Sequence, residues 1–244
     1  WKIILIFVLT NKTKIIMKVQ SLFRIVLVII ILFLTFMIFR SIMRPGKFKS
    51  VYEQREDRIV ECLEIIRNAQ NVYKQETGKV SGDIDELYDF VQNGTITVEQ
   101  TKMLKEVPKN MSEEDAFAQG YLEKSVVKIP AKRRMMENDK NLVESSLKNF
   151  NYIAETGNKF KIDTASVESA GVIIPVYRIY LTVDDILANM QQTIIPENSS
   201  AIAKFWNKLL YSGLEEETQY RVQYRDIWMG ALDNASVSGS WESK

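Results

Sequence analysis

An uncharged apolar run occupies residues 25–39, with Thr35 as its only polar side chain. The run is longer than strands of soluble proteins, but as a helix it covers only about 22 Å of the roughly 30 Å hydrocarbon core of a bilayer. Apolar neighbours extend it to residues 22–43, which is long enough to cross. We therefore predict one transmembrane helix, and the alternative is a buried helix of a soluble core.

The residues that flank the apolar run indicate whether it is a cleaved signal peptide or a permanent anchor. A cleaved signal peptide would need small residues after the apolar run, whereas residues 39–44 (FRSIMR) are bulky and basic. We therefore predict an uncleaved signal anchor over residues 17–44, with arginines that extend toward the lipid headgroups at its ends. The side chains expected to hold it in the membrane are Leu22, Arg24, Ile25, Ile30, Phe33, Phe39 and Arg40.

The first residues form a separate short segment. The chain starts with Trp1, and Met17-Lys18 directly before the apolar run has the form of a natural start. The apolar stretch within residues 1–16 is too short to span a bilayer. We therefore interpret 1–16 as translated upstream sequence or as an artefact of a fragment.

Charge is divided unevenly along the chain. Residues 1–50 carry nine basic side chains and no acidic one, which leaves 23 basic against 31 acidic residues in 51–244. An acidic body argues against a nucleic-acid partner, whereas a basic collar around an apolar run is typical of a membrane anchor. The positive-inside rule gives opposite orientations for a start at residue 1 and a start at Met17, so charge alone leaves the orientation open.

An amphipathic helix is predicted after the anchor. Pro45-Gly46 should break the chain behind the membrane, and Gly78 should end the next helix, which gives a segment over 45–80. Cys62 falls on its apolar stripe, where a buried and unreactive thiol is expected. Helical spacing places the following side chains on that stripe: Ile59, Cys62, Leu63, Ile66, Ala69 and Tyr73.

The order of these segments resembles a known architecture. A membrane helix that runs into an amphipathic helix with Ala69-Gln70, Tyr73 and Gly78-Lys79 is similar to the start of type IV pilins and type II secretion pseudopilins. The stretches 143–153 and 160–177, with a tail around Trp241, resemble more closely an uncharacterised family of membrane-anchored Bacteroidetes proteins.

This resemblance implies a fold and a location. The fold class is α+β, with a single N-terminal transmembrane helix that continues into an amphipathic helix packed on a small antiparallel sheet, as in pilins. The protein would sit in the bacterial inner membrane with its C-terminal body in the periplasm. No acidic residue precedes Glu53, unlike the acid near the start of mature pilins, so a pilin-like shape is implied and not a filament subunit.

The body over 81–233 is predicted to contain short helices and short strands. Asp83 should cap a helix that ends at Asn93-Gly94, a loop with one helical turn should follow over 99–120, and the tail over 234–244 should be flexible. Consecutive strands without long helices between them predict antiparallel pairing. Strands are predicted over 125–129, 151–154, 159–165, 172–181 and 220–228.

A helical insertion is predicted at about 184–213. Ser199 or Ser200 should cap its main helix and Gly213 should stop it. One face of this helix carries Phe205, Trp206 and Leu209, which we interpret as a possible partner surface. The alternative is that this face covers the sheet.

The composition removes several classes of chemistry. The chain has no His and a single Cys, which excludes imidazole-based catalysis, disulfide frameworks and cysteine metal clusters. Three acidic groups, at 113–115, 184–185 and 215–217, lie in polar stretches where solvated carboxylates are the rule. We therefore predict no enzyme, no metal and no cofactor.

The sequence thus favours a membrane-anchored envelope protein. We predict a pilin-like structural or assembly component whose partners are the lipid bilayer and other envelope proteins or itself, with no nucleic acid and no small-molecule substrate. The alternative is a periplasmic ligand-binding or sensory ectodomain, because tyrosines on the predicted strands could form a shallow binding face.

Overall fold

The computed structural model describes residues 2–104, 111–153 and 155–242, and the side chains from residue 20 onward except that of Glu215. The fold is α+β, with one very long N-terminal helix and two small antiparallel sheets. The helices are α1 (Lys2–Thr77), α2 (Ile84–Asn93), α3 (Glu113–Ala118), α4 (Ala131–Asn138), α5 (Val183–Leu187), α6 (Met190–Ile194), α7 (Ala201–Tyr211) and α8 (Thr218–Arg221). The strands are β1 (Thr95–Met103), β2 (Leu122–Pro130), β3 (Asp163–Ser169), β4 (Val172–Leu181) and β5 (Ile227–Gly230).

The predicted break at Pro45-Gly46 is wrong, because α1 runs through both residues without interruption. Proline removes one backbone hydrogen bond and should weaken the helix there. Arg44 and Phe48 flank the site and are both buried against the body, so packing holds the helix on either side of the weak point. The anchor and the amphipathic helix are therefore one element of 76 residues, about 114 Å long.

The C-terminal part of α1 forms the centre of the core, as predicted from the apolar stripe of this helix. Ile59, Leu63, Ile66 and Ala69 are completely buried, while Cys62 and Tyr73 are partly buried against the same core. The helix ends where predicted, because Gly78 has a φ of +71° and its N–H donates to the carbonyl of Lys74 at 2.9 Å. This left-handed conformation is one that glycine adopts without strain.

A two-stranded ribbon stands where the sequence led us to expect a loop. β1 pairs with β2 in antiparallel register from Thr95↔Pro130 to Met103↔Leu122, and α3 lies in the connection. The strand predicted over 125–129 is confirmed within β2, whereas β1 was not foreseen. Residues 105–110 of the predicted loop lie outside the described part. Ile96 and Ile129 are the buried pair of this ribbon, and its far half is exposed.

The second sheet has the strand order β3-β4-β5 and is antiparallel, as predicted. The strand predicted over 172–181 coincides with β4. The strands predicted over 151–154 and 159–165 are reduced to one bridge between Tyr152 and Lys159, and β3 starts only at Asp163. Ala154, at the end of the strand predicted over 151–154, lies outside the described residues.

The strand predicted over 220–228 is largely wrong, since Tyr220 lies in α8 and β5 starts at Ile227. The aromatic rings that suggested a strand face have another use. Tyr220 packs on Phe48 of α1 with ring centroids 5.3 Å apart, and Tyr224 packs on Tyr52 at 4.1 Å. Contact with α1 therefore overrides the local strand pattern.

The tail, predicted to be flexible over 234–244, is bound to the body as far as the structure describes it. The N–H of Gly230 donates to the carbonyl of Ser238 at 3.0 Å, and the N–H of Ser240 donates to the carbonyl of Trp228 at 2.9 Å. Trp241 packs against the core. The side chain of Trp241 thus holds in place a segment whose composition predicts flexibility.

Candidate functional site

The apolar part of α1 is exposed over residues 20–35. Within the described part of the chain, one helix is long and apolar enough to cross a membrane, and its most apolar stretch is entirely unburied. Leu22, Ile25, Ile30, Phe33 and Phe39 all expose half or more of their surface. Of the two predicted arginine flanks, Arg24 is exposed and Arg40 is half-buried. These residues fit a transmembrane or signal anchor.

Arg44, at the end of this span, is a connecting residue that the sequence did not reveal. Its Nη1 donates to the carbonyl oxygens of Leu210 at 3.0 Å and Ser212 at 3.2 Å, and its Nη2 forms an ion pair with Glu217. The guanidinium is almost completely buried. It therefore supplies donors to the carbonyls at the C-terminal end of α7, where a positive charge also suits the helix dipole.

The environment of Glu217 is governed by this contact. Burial alone would raise the pKa of Glu217, but hydrogen bonds from Arg44, Gln219 and Tyr220 outweigh it and hold the pKa below its ordinary value of 4.5. The carboxylate is therefore ionised at neutral pH. An ionised Glu217 and Arg44 together fix the segment after α7 to α1 just beyond its apolar run.

The predicted partner surface lies on α7, which begins at its predicted cap, because the Oγ of Ser200 accepts from the N–H of Ala203 at 3.3 Å. Phe205, Trp206 and Leu209 expose 61 %, 51 % and 37 % of their surface. The alternative that this face covers the sheet is therefore wrong. Ile202, one turn earlier on the same face, exposes 73 %.

A second buried arginine fixes the elements before α7. Arg55 donates to the carbonyls of Ile186 at 2.7 Å and Ala188 at 2.8 Å, and to the Oγ1 of Thr193 at 2.6 Å. These contacts place α5 and α6 at the level of Arg55 on α1. The helical insertion is thus attached to α1 through two arginines, Arg44 and Arg55.

An aromatic groove of about 530 Å³ lies between α1 and the segment before β5. Tyr52, Tyr224, Trp228 and Trp241 line it. The hydroxyl of Tyr52 donates to the carbonyl of Arg225 at 2.8 Å. Burial, together with nearby negative charge, raises the pKa of Tyr52, so this phenol stays neutral.

The acidic groups singled out in the sequence are not brought together. Asp184 pairs with Arg221, and the side chain of Asp185 closes the capping box of α5. Asp115 accepts from the hydroxyl of Ser112, and the side chain of Glu215 lies outside the described residues. Among the described residues, no group of three or more metal-binding side chains occurs.

The lone thiol is partly shielded. Cys62 is half-buried on α1, and burial raises the pKa of its thiol to about 11. The thiol is therefore neutral at physiological pH, and a thiolate is the form that reacts as a nucleophile or ligates a metal.

The described part of the chain thus has two buried arginines that join its elements to α1 and two exposed apolar faces, on α1 and α7. No family model, curated protein or solved structure matches this chain.

Proposed function

We propose that this protein is a non-enzymatic, single-pass component of the bacterial cell envelope, with its anchor in the inner membrane and its body in the periplasm. The observation that carries the proposal is the continuity of α1. The same helix is apolar and exposed over residues 25–35, and farther along it one face is completely buried in the core at Ile59, Leu63 and Ile66. A helix of this kind joins a bilayer to a folded body without a hinge.

We infer a pilin-like organisation from this division of α1. In pilins a long N-terminal helix projects from the body and its other half packs inside it, and α1 divides in the same manner. Here the buried half contacts mainly helices and β1, and the ammonium of Lys74 donates to the carbonyl of Pro175 in β4 at 3.5 Å. The resemblance of the sequence motifs supports the same architecture.

The body offers a surface for protein partners in the β1–β2 ribbon. Met103, Leu104 and Val126 expose half or more of their surface on it. Both outer edges of a two-stranded ribbon carry backbone groups that can pair with a further strand. We therefore assign it a role in binding other envelope proteins or a second copy of this chain.

Photo-crosslinking in native membranes tests this function. A crosslinking amino acid at Val126, on the ribbon, should capture envelope proteins or yield ladders of the chain itself. A matched control is the exposed Glu137, in the last turn of α4. Capture at Val126 but not at Glu137 supports a role in assembly. A chain that stays monomeric and forms no crosslink at either position contradicts that role.

The orientation has its own test. A membrane-impermeant maleimide should label an Ile173→Cys variant in cells whose outer membrane has been opened, because Ile173 exposes 72 % of its surface. Labelling only after lysis would place the body in the cytoplasm and contradict this part of the proposal.

The aromatic groove favours one alternative, a ligand-binding ectodomain. Aromatic walls with a few polar groups are common in small-molecule sites. A ligand that binds there would raise the melting temperature of the full chain, and Trp228→Ala should abolish that shift. A screen that finds no such ligand, together with capture at Val126, would leave the assembly role alone.

A further inference from the structure

The exposed side of α7, predicted from the sequence to be a possible partner surface, is a large apolar surface of the described body. Ile202, Phe205, Trp206 and Leu209 recur at helical spacing and form one continuous apolar stripe along this helix. Nothing in the described body covers them. Soluble proteins rarely expose such large apolar side chains next to one another. We therefore expect another surface to cover this stripe.

The position of α7 shows which way this stripe faces. Its C-terminal carbonyls are held by Arg44, the first residue beyond the apolar span. On the other side, the amide of Asn207 donates to the carbonyl of Ile194 at the end of α6. Because α6 is fixed at Arg55, three turns farther from the span, α7 lies on the membrane side of α6.

The apolar stripe points away from α6. At 100° per residue, Asn207 lies nearly opposite the centre of the stripe on the helix surface. Since Asn207 faces α6 and the body, the stripe faces away from the body, at the level of Arg44 where the span ends. Arg40 and Phe36, one and two turns before Arg44 on the same face of α1, are half-buried.

The charges of α7 suit a lipid surface. The helix contains Lys204 and Lys208 and no acidic residue. Lys47 and Lys49 lie just beyond the span on α1. A short helix with aromatic and aliphatic side chains on one face and lysines on its other faces is the pattern of helices that lie in the headgroup region, where Trp is also enriched.

We propose that α7 is an interfacial helix, whose stripe of Ile202, Phe205, Trp206 and Leu209 inserts into the same bilayer leaflet from which α1 emerges. The molecule then contacts the membrane at two places, the span and α7, and Arg44 joins them. This proposal rests on the membrane anchor of the proposed function.

Spin-label accessibility in the full chain tests it. The chain is placed as a single copy in nanodiscs that contain phosphatidylcholine with phosphatidylglycerol, in a Cys62→Ala background. Labels are introduced by Trp206→Cys on the stripe, Phe33→Cys in the span and Ile173→Cys on β4 as a matched exposed control. Oxygen concentrates in the bilayer and a nickel chelate stays in water, so their collision rates report depth.

The label at Trp206→Cys should show an oxygen-to-nickel ratio about threefold or more above that at Ile173→Cys, with the highest ratio at Phe33→Cys. An Ile202→Cys variant provides a second site on the stripe if Trp206→Cys does not fold. A water-like ratio at both stripe positions with a high ratio at Phe33→Cys would overturn the proposal and leave the anchor intact.

Two further outcomes have distinct meanings. A water-like ratio at Phe33→Cys would refute the anchor itself, and the interfacial helix with it. Protection of Trp206→Cys that appears only in discs with two copies would identify a second copy of this chain as the occupant, and would overturn insertion into lipid.

Discussion

The Arg44 guanidinium binds two carbonyls and one carboxylate that lie more than 160 residues away in the chain. At the end of an apolar run, an arginine is usually expected to extend into the headgroups. Here the protein satisfies the guanidinium instead. The pair with Glu217 is shielded from solvent, so removing one partner costs more than it would for an ion pair on an open surface.

Arg44→Ala should destabilise the body by about 2 kcal/mol, because Glu217 would stay half-buried without a cation and two carbonyls would lose their donor. Thermal unfolding in detergent measures this loss. Lys49→Ala is the matched control, since Lys49 is exposed on the same helix and should change stability by less than about 0.5 kcal/mol. Equal effects of the two variants would contradict the role given to Arg44.

The same pair predicts a dependence on pH. The pKa of Glu217 is lower in the folded protein than the ordinary 4.5, so its contribution to stability is complete above pH 4.5 and is lost as the pH falls through the lower folded pKa. Glu217→Gln removes this proton linkage. The melting temperatures of the wild type and Glu217→Gln should therefore converge in acid, and a constant difference down to pH 3 would refute the linkage.

Among the elements, α1 has the greatest influence on the architecture, and Gly46 is a site where its stability can be measured. A Cβ at Gly46 would meet no atom within 4 Å, and the residue is helical. Gly78 also has open space around it, but its φ is +71°. The two glycines therefore differ in backbone conformation and not in crowding.

Gly46→Ala should stabilise the protein by about 0.5–1 kcal/mol, because alanine restricts the unfolded chain more than glycine does. Gly78→Ala should destabilise it by about 1 kcal/mol through left-handed strain. Chemical denaturation of both variants in one detergent checks the signs. Destabilisation by Gly46→Ala would show that α1 is not continuous there.

For the whole molecule, the sequence predicts the elements that carry a local signal. The apolar run predicts the exposed apolar part of α1, the β-branched residues predict β4, and Ser200 predicts the start of α7. β1 escaped prediction, because a two-stranded ribbon buries little and Glu99-Gln100-Thr101 shows no apolar alternation. The Arg44 contact escaped for another reason, since its partners are distant in sequence and carry no local mark of it.

The tail gives the prediction that belongs to the whole fold. Trp241 packs on the core, with the Arg67 guanidinium 5.6 Å from its ring centroid, and Arg67 also pairs with Glu242. Trp241→Ala should lower stability by about 1–2 kcal/mol, because the ring is half-buried. Val237→Ala, at an exposed position of the same tail, is the control for thermal unfolding and should have little effect. Equal melting temperatures for the two variants would show that the tail is not anchored.

The contact between the tail and α1 also decides how the protein would bear mechanical force. A pull on the tail at Glu242 would be passed at Arg67 directly to α1. The hydrogen bonds of Ser238 and Ser240 with β5 would pass part of the load to the second sheet, and the rest would travel along α1 as axial tension. A body connected in this way could transmit traction along α1 without loading the β1–β2 ribbon.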